Sequence, residues 1–528
     1  MAEHRDALDW AAQQQLPLSR ARRLPPSGPG RAGGPTYSTG YLPDRLLVTG
    51  LADLHDTIDV LRKAGSGPGG WTIEPDPDFT DVVLEEPAPT RMRRRDRLRT
   101  PEGVLSVRRY RIGPPAEGAA VPDAWAVLEA TRAARHGQLP GVGLDHVLTL
   151  TGVDPDPFHG TNPFHGTNPF HGTNPFGAYG GSPIDSYAFA GTGGRQPVGW
   201  TGPRPLRRTD EERGGRRRPV VVTLDTGCGA HPWLDGVVRC DLACDGVPVG
   251  STDPATDPEA WPSLTGPKDG AIGEVSGHGT FIAGLVHQGC PDADVHACRV
   301  VAPDGSIAES DLLVAITRLA TLVTRDANDE PGGMPIDVVN LSLGYYHETP
   351  LEAGFDPTMA ELLAVLGASG TIVVCSAGND ATDRPMFPAA FGPWSTAPAP
   401  DADPVPLVSV GALNPDGSTV ALFSNGGAWV RTYAPGAAVV STMPTGFQGG
   451  YLPGAGLQWD GHERAAIDPD DFTGGFAVWS GTSFAAPVLA GRLAAALEPA
   501  LPAAGEPGAA ARDRAWQALE ALTPLRHR

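Results

Sequence analysis

The apolar positions of residues 219–528 form continuous runs that alternate with stretches of helical spacing. A continuous apolar run predicts a strand that is covered on both faces. Such runs lie at 219–224, 337–343, 371–375 and 407–410. Helical spacing is found at 280–288, 310–324, 359–366, 485–497 and 510–522. The alternation predicts an α/β domain over residues 219–528, with a parallel sheet and helices on both faces.

Residues 41–152 have shorter elements with mixed periodicity. Strand-like patterns lie at 46–48, 71–73, 81–84, 104–112 and 144–150. The apolar residues have helical spacing from Leu51 to Leu61 and again from Asp123 to His136. We take the succession as β-α-β-β-α-β, which is typical of a small two-layer α+β domain of the ferredoxin-like kind.

Two further segments follow neither periodicity. Residues 1–40 are polar and rich in Pro, Gly and Arg, which predicts a disordered leader. Residues 153–218 contain three perfect copies of Pro-Phe-His-Gly-Thr-Asn, and a proline in every unit prevents a helix or a central strand. We therefore predict a flexible linker. The alternatives are a docking motif built on Asn-Pro-Phe and weak metal binding by the repeated histidines, His159, His165 and His171.

The composition narrows the classes of function. The formal net charge of -21 is concentrated after residue 220, where 13 Lys and Arg face 36 Asp and Glu. This balance argues against a nucleic-acid partner for the second half, because phosphate binding needs a clustered basic surface. No apolar run is long enough for a signal peptide or a membrane span, so we expect a cytoplasmic protein without a membrane partner.

Six cysteines are too few for a disulfide framework in a chain of 528 residues, and we expect them to stay thiols. The spacings of Cys240, Cys244, Cys290 and Cys298 do not match the usual paired zinc pattern. Inert thiols are therefore favoured over a zinc site, and we predict no metal centre.

Four polar residues occupy the strand ends and helix starts where active sites of parallel sheets gather. Asp225 ends the first strand, His278 opens a helix, Asn379 follows the strand at 371–375, and Ser483 opens the helix at 485–497. Singly, each has a common structural explanation, such as a turn residue or a helix cap. Together they provide a carboxylate, an imidazole and a hydroxyl, the set that turns serine into a nucleophile.

The chain resembles the subtilisin-like serine peptidases over about residues 219–500. The order Asp, His, Ser is the subtilisin order. The resemblance rests on the motifs Asp225-Thr226-Gly227, Gly277-His278-Gly279-Thr280, Asn340-Leu341-Ser342-Leu343-Gly344, Ser376-Ala377-Gly378-Asn379 and Gly481-Thr482-Ser483 with Ala486-Pro487. It implies that Asp225, His278 and Ser483 form the catalytic triad.

The same resemblance implies further roles. Asn379 would donate its amide to the oxyanion, and Ser342-Leu343-Gly344 and Ser376-Ala377-Gly378 would form the walls that pair with an extended peptide. No cofactor is required. Calcium at Asp468-Pro469-Asp470-Asp471, in an apparent insertion at 446–475, is one interpretation of that acidic stretch, and a solvated loop is the other.

The expected function is therefore that of a serine endopeptidase with a polypeptide substrate. Residues 41–152 resemble the propeptide domain of such enzymes, and a coil of 66 residues spans about 45 Å root-mean-square, so this domain can reach the catalytic domain in cis. In relatives the propeptide usually abuts the catalytic domain, so the long linker argues against a tail held in the cleft. The alternative function is a catalytically silent peptide-binding or scaffold protein on the same fold.

Overall fold

Two β-sheets organise the molecule, one antiparallel and one parallel. The computed structural model describes residues 12, 14–26, 36–50, 55–67, 70–84, 105–113, 121–135, 139, 141–150, 195–265, 271–349, 358–394, 404–449, 455–503 and 508–525. The helices within these ranges are α1 (Pro17–Arg20), α2 (His55–Ser66), α3 (Ala124–Ala134), α4 (His278–Gly289), α5 (Glu309–Ala327), α6 (Thr358–Ala368), α7 (Thr482–Leu497) and α8 (Gly508–Leu522).

The strands divide between the N-terminal and C-terminal parts. Up to residue 197 they are β1 (Arg22–Leu24), β2 (Thr39–Gly50), β3 (Thr72–Pro75), β4 (Val82–Leu84), β5 (Leu105–Gly113), β6 (Val142–Leu150) and β7 (Gln196–Pro197). Those that follow, up to residue 344, are β8 (Val220–Asp225), β9 (Val238–Arg239), β10 (Ala243–Cys244), β11 (Val247–Pro248), β12 (Asp294–Arg299), β13 (Ser306–Ala308), β14 (Val338–Leu341) and β15 (Leu343–Gly344). The last are β16 (Ile372–Ser376), β17 (Val408–Leu413), β18 (Thr432–Pro435), β19 (Val439–Thr442), β20 (Gly456–Trp459), β21 (His462–Ala465) and β22 (Phe476–Trp479).

The C-terminal part is built on a parallel sheet in the order β18-β17-β16-β14-β8-β12-β9. Successive side chains of its strands enter different cores, as the pleat requires. Val222 and Leu224 of β8 pack in the core that contains α5 and α6, whereas Val221 packs in the core that contains α4, α7 and α8. The prediction of a parallel sheet with helices on both faces is confirmed.

The N-terminal part has an antiparallel sheet in the order β6-β2-β5-β3, with the short β4 also paired to β5. The elements of residues 39–150 follow the order β-α-β-β-α-β apart from this extra strand. On β2, Leu46 and Val48 pack in a core with α2 and α3, while Leu47 joins the core that contains α5. Both faces of the N-terminal sheet are therefore covered, one of them by the C-terminal part. A propeptide role for this part stays a prediction.

The two parts also share β-pairing. Strand β6 pairs antiparallel with β13, and its end pairs with β15, so that Leu343 lies opposite Leu150 and Gly344 opposite Thr149. The last residues of the N-terminal sheet thus lie directly against Ser342-Leu343-Gly344. The length of the linker does not keep the N-terminal part away from this segment, because β6 itself pairs with it.

Parts of the predicted leader and linker are ordered. Strand β1 pairs with the start of β2 at Thr39–Tyr41, so the prediction of disorder was wrong for the part of the leader that forms β1. In the linker, residues 195–218 pack against the C-terminal part. Their arginines find acidic partners: Arg208 Nε lies 2.7 Å from Asp292 Oδ2, and both terminal nitrogens of Arg217 bind Asp337. The flexible-linker prediction was therefore wrong for these residues, whereas the Pro-Phe-His-Gly-Thr-Asn repeats lie outside the described residues.

The strands β12, β18, β19 and β22 were not predicted. Strand β12 lies beside β8 in the sheet although it contains His296 and Arg299, which interrupt its apolar pattern. The predicted insertion at 446–475 contains the exposed hairpin formed by β20 and β21. None of the described helices is both long and apolar enough to cross a membrane.

Candidate active site

Asp225 and His278 form a buried hydrogen-bonded pair. Asp225 is the last residue of β8 and His278 the first of α4, and the imidazole Nδ1 lies 2.7 Å from Asp225 Oδ1. A carboxylate only accepts, so Nδ1 carries the proton and Nε2 is left with a lone pair when the ring is neutral. Gly277 sets the start of α4, since its φ is 85° and a Cβ there would overlap Met443. The fold thus fixes the tautomer that a general base needs.

Ser483 lies in the first turn of α7 and is fully buried. Two aromatic residues near Ser483 in the sequence pack against the imidazole. The ring centroid of His278 lies 5.2 Å from that of Phe484 and 5.5 Å from that of Trp479. The first turn of α7 is therefore packed beside the ring of His278. Strand β22, which ends at Trp479, leads the chain into this turn.

Asn379 is held against the same turn. Its Oδ1 accepts hydrogen bonds from the Thr482 N–H at 2.8 Å and from the Thr482 hydroxyl at 3.0 Å. Its Nδ2 is buried and has no hydrogen-bond partner among the residues that the structure describes. A buried N–H donor without a partner is costly, so this amide is suited to an acceptor that a bound molecule supplies.

Both predicted walls contact the start of α7. The Ser342 hydroxyl donates to the Ser483 carbonyl at 2.9 Å, and Leu343 and Gly344 form β15. Ser376 ends β16, and Ala377 and Gly378 follow it toward Asn379. The Gly378 N–H donates to the Thr482 hydroxyl at 3.0 Å. Hydrogen bonds thus connect Ser342, Gly378 and Asn379 to the start of α7, and all ten residues named from the sequence are buried.

Packing within the protein accounts for the two glycines of these walls. A Cβ on Gly344 would lie 2.8 Å from the backbone oxygen of Phe387, and one on Gly378 would overlap the side-chain amide of Asn425. Gly378 also has φ of 103°, which favours glycine. Packing within the protein therefore already requires both glycines, independently of any approaching peptide.

Glu259 is a buried carboxylate that the sequence motifs did not indicate. Its Oε1 accepts from the Gly279 N–H at 3.0 Å and contacts the Thr226 hydroxyl, and its Oε2 accepts from the Thr280 hydroxyl at 2.5 Å. It thus caps the N-terminus of α4, where a negative charge is favourable. Burial is the largest influence on this group and raises the pKa of Glu259 to about 7. In the sequence, the single Glu of Asp257-Pro258-Glu259-Ala260 is the only feature that could have indicated this carboxylate.

Arg195 is a second residue that sequence reasoning missed. Its side chain is buried, and its guanidinium donates to four backbone carbonyls at 2.7 to 3.3 Å. Those carbonyls belong to Ile272, Gly273, Glu274 and Ser276. The guanidinium also lies 5.0 Å from the ring of Trp479, and burial lowers the pKa of Arg195 to about 10. The loop that leads into Gly277 and His278 is therefore organised around a buried cation.

One cluster among the described residues has the composition of a metal site. It contains His146, His347 and Glu348, whose ligand atoms lie within 4.8 Å of one another. Each atom already has a protein partner. His146 Nε2 lies 2.9 Å from Glu348 Oε2, and the Thr349 N–H donates to His347 Nδ1 at 2.9 Å. Direct hydrogen bonds and ion pairing account for the cluster, which joins β6 to the segment after β15.

Comparison with known proteins finds similarity to serine proteases. The model of the subtilase family matches residues 216–519. The chain is 26% identical over 289 residues to an intracellular serine protease of Paenibacillus polymyxa, an alignment that covers 52% of this chain and 65% of that protein. It is 28% identical over 250 residues to a thermophilic serine proteinase of Bacillus sp. strain AK1, covering 47% and 51%.

Two more matches have lower identity. The major intracellular serine protease of Bacillus subtilis is 22% identical over 239 residues, with 42% of this chain and 60% of that protein covered. A solved cold-adapted subtilisin-like serine proteinase matches 60% of this chain and 84% of its own, at 19% identity and a TM-score of 0.34. The chain thus spans between half and about two thirds of the length of the curated relatives named here.

Proposed function

The chain belongs to the subtilase family, and on this premise we propose that it is a serine endopeptidase that hydrolyses peptide bonds through Asp225, His278 and Ser483. The observation that carries the proposal is the buried contact of 2.7 Å between His278 Nδ1 and Asp225, beside the helix turn that bears Ser483. Cytoplasmic residence belongs to the same proposal, and two of the similar proteins are named intracellular proteases.

In the proposed mechanism His278 is the general base. Its Nε2 takes the proton of Ser483 as the hydroxyl oxygen attacks the carbonyl carbon of the substrate, and Asp225 stabilises the imidazolium that forms. His278 then returns the proton to the leaving amine, and water hydrolyses the acyl-enzyme by the same route. Activity is expected to rise as His278 loses its proton. No cofactor takes part in these steps, and calcium at residues 468–471 stays a prediction.

Asn379 is proposed to stabilise the oxyanion. The tetrahedral intermediate carries a negative oxygen that needs donors already in place. Asn379 Nδ2 is a buried donor without a partner among the described residues, and its amide is fixed by the two bonds from Thr482. The backbone N–H of Ser483 is the second proposed donor.

The substrate is proposed to be an extended polypeptide that pairs with β15. Strand β15 already forms antiparallel pairs with Thr149 and Leu150 of β6, which supports its capacity to pair with a strand. The same pairing supports restraint by the N-terminal part, because the end of β6 occupies the strand edge that a substrate would use.

Buried polar contacts support a stable restraint. Arg109 of β5 donates to the Ser310 hydroxyl at 3.1 Å, and Asp145 of β6 accepts from the Ser310 N–H at 3.0 Å. His146 lies between two buried carboxylates, with Nδ1 at 2.6 Å from Glu309 and Nε2 at 2.9 Å from Glu348. These polar groups have their partners in the docked arrangement, so a substitution that removes one of them leaves the other buried and unpaired there and weakens docking.

A fluorophosphonate probe tests the proposal on the full chain. It reacts with an activated serine, so we expect labelling of the native chain and none of the Ser483→Ala variant. If β6 restrains the site, His146→Ala should increase the labelling rate, while an exposed control such as Arg62→Ala should not. Absence of labelling in every variant would refute the peptidase and favour the silent binding protein.

A further inference from the structure

Glu259 is a fully buried carboxylate beside the proposed triad that the mechanism above does not use. We propose that Glu259 is a positioning residue that controls, through the Thr226 hydroxyl, how many hydrogen bonds Asp225 receives and hence how readily His278 holds a proton. The inference deepens the proposed peptidase function and rests on it for its biological meaning. Its geometric basis is independent of whether the chain has activity.

The Thr226 hydroxyl lies between the two carboxylates. Its Oγ1 is 3.1 Å from Asp225 Oδ1 and in hydrogen-bond contact with Glu259 Oε1. It also accepts a hydrogen bond from the Gly279 N–H at 2.7 Å. A hydroxyl has a single proton, so it can donate to only one of the two carboxylates at a time.

The protonation of Glu259 decides this competition. When Glu259 is ionised, Asp225 and Glu259 compete for the Thr226 proton. When Glu259 is protonated, its own O–H can donate to Thr226 Oγ1, and the Thr226 proton is then free for Asp225. The second oxygen of Glu259 is already occupied by the Thr280 hydroxyl at 2.5 Å, and that hydroxyl accepts from the Gly229 N–H at 2.7 Å. The arrangement therefore directs the proton of Glu259 toward Thr226.

Two effects on His278 then have the same sign. An additional hydrogen bond to Asp225 stabilises its charge and makes it a weaker partner for the imidazolium. Neutralising Glu259 removes a negative charge that also favours the imidazolium. Protonation of Glu259 should therefore lower the pKa of His278. The acidic limb of activity would lie at lower pH than it would with a permanently ionised Glu259.

The surroundings of Glu259 place this effect in the neutral range. Burial raises its pKa to about 7, against the lowering effect of the two threonine hydroxyls. The charged or titratable groups that interact with it from the neighbouring elements are Asp257, Asp225, Arg195, Cys228 and Cys240, and His278 is bound to Asp225. Asp225 and Asp257 raise the pKa of Glu259 further, and burial raises the pKa of both thiols, which keeps them neutral near pH 7.

The test measures the pKa of His278 directly. In the full chain with Ser483→Ala, which also prevents self-digestion, ¹⁵N-histidine NMR follows the imidazole, and loss of its signal in His278→Ala assigns it. Thr226→Val removes the bridging hydroxyl, so the pKa of His278 should rise by about 0.5 to 1 unit, the size of one lost hydrogen bond. Thr226→Ser keeps the hydroxyl and should restore the native value.

Glu259→Gln supplies the second half of the test. A neutral side chain that donates an N–H toward Thr226 should lower the pKa of His278 when Thr226 is present, and the shift should be smaller in the Thr226→Val background. A His278 pKa that changes by less than about 0.2 unit in both Thr226→Val and Glu259→Gln would overturn the inference. Because the readout needs no turnover, a chain without activity but with these shifts would refute the peptidase and leave the inference standing.

Discussion

Replacing Arg195 by methionine would remove the cation around which the loop before His278 is built. Methionine has a similar length and cannot donate hydrogen bonds. Four backbone carbonyls, those of residues 272, 273, 274 and 276, would lose their donors inside the protein. The contact of the guanidinium with Trp479 would be lost as well.

The expected loss of stability is about 3 to 5 kcal/mol, because each buried carbonyl that is left without a donor costs about 1 to 3 kcal/mol. The loss is smaller than the sum over four hydrogen bonds for two reasons. Burial of the guanidinium in the native protein is itself costly, and water can enter the vacated space. Catalysis should suffer in addition, since the loop leads directly into Gly277 and His278. A displacement of about 1 Å of a catalytic group costs roughly 10²-fold in rate, so kcat should fall more than KM rises.

Stability is measured by urea unfolding in the Ser483→Ala background, and activity in the otherwise native chain. Arg195→Lys is the matched control: it keeps the charge but loses the planar fork, so about half of the loss is expected. In Arg195→Ala, millimolar methylguanidinium should restore part of kcat by filling the same space. A loss below about 1 kcal/mol with unchanged kcat in Arg195→Met would refute an organising role for this cation.

Three further outcomes are expected. Asn379→Leu should lower kcat by about 10²- to 10³-fold with little change in KM, because the donor acts only on the developing oxyanion; steady-state kinetics measure this, and an unchanged kcat would exclude the role. Burial disfavours the charged form of His146, but the carboxylates of Glu309 and Glu348 favour that form more strongly and raise the pKa of His146 to about 10. Since this pKa lies above the unfolded value of roughly 6.5, the stabilisation of docking by His146 is complete below about pH 6 and is lost as the pH rises through 10; fluorophosphonate labelling should therefore accelerate near pH 10 in the native chain but not in His146→Ala. Gly378→Ala should destabilise the Ser483→Ala chain by about 1 to 3 kcal/mol because of its φ of 103°, whereas alanine at the open Gly446 should not; thermal unfolding distinguishes the two.

Sequence patterns predicted the parallel sheet well because its strands are covered on both faces. The strands at residues 220–225 and 372–376 are continuous apolar runs, and the helices behind them have regular spacing. Strand β12 escaped prediction because His296 and Arg299 interrupt its pattern. The candidate site residues were named for a related reason, since strand ends and helix starts mark where side chains meet in this kind of fold, and their roles stay predictions.

The residues that escaped prediction depend on contacts distant in sequence. Arg195 binds carbonyls about 80 positions away, and backbone carbonyls leave no signature in a sequence. Glu259 reaches Thr226 and Thr280, which lie 33 and 21 positions away on opposite sides along the chain. In the arginine-rich segment, composition suggested a linker, whereas its partners Asp292 and Asp337 lie on other elements.

The pairing of β6 with β15 has a consequence for the lifetime of the proposed restraint. Leu150 and Arg195 are joined by 44 intervening residues, so the N-terminal sheet is tethered to the surface it covers. While the tether is intact, a detached sheet rebinds at a high effective concentration that dilution cannot change. A single cut in the tether would make rebinding a bimolecular reaction between two separate molecules. The extent of release would then depend on the protein concentration and on the time allowed for dissociation.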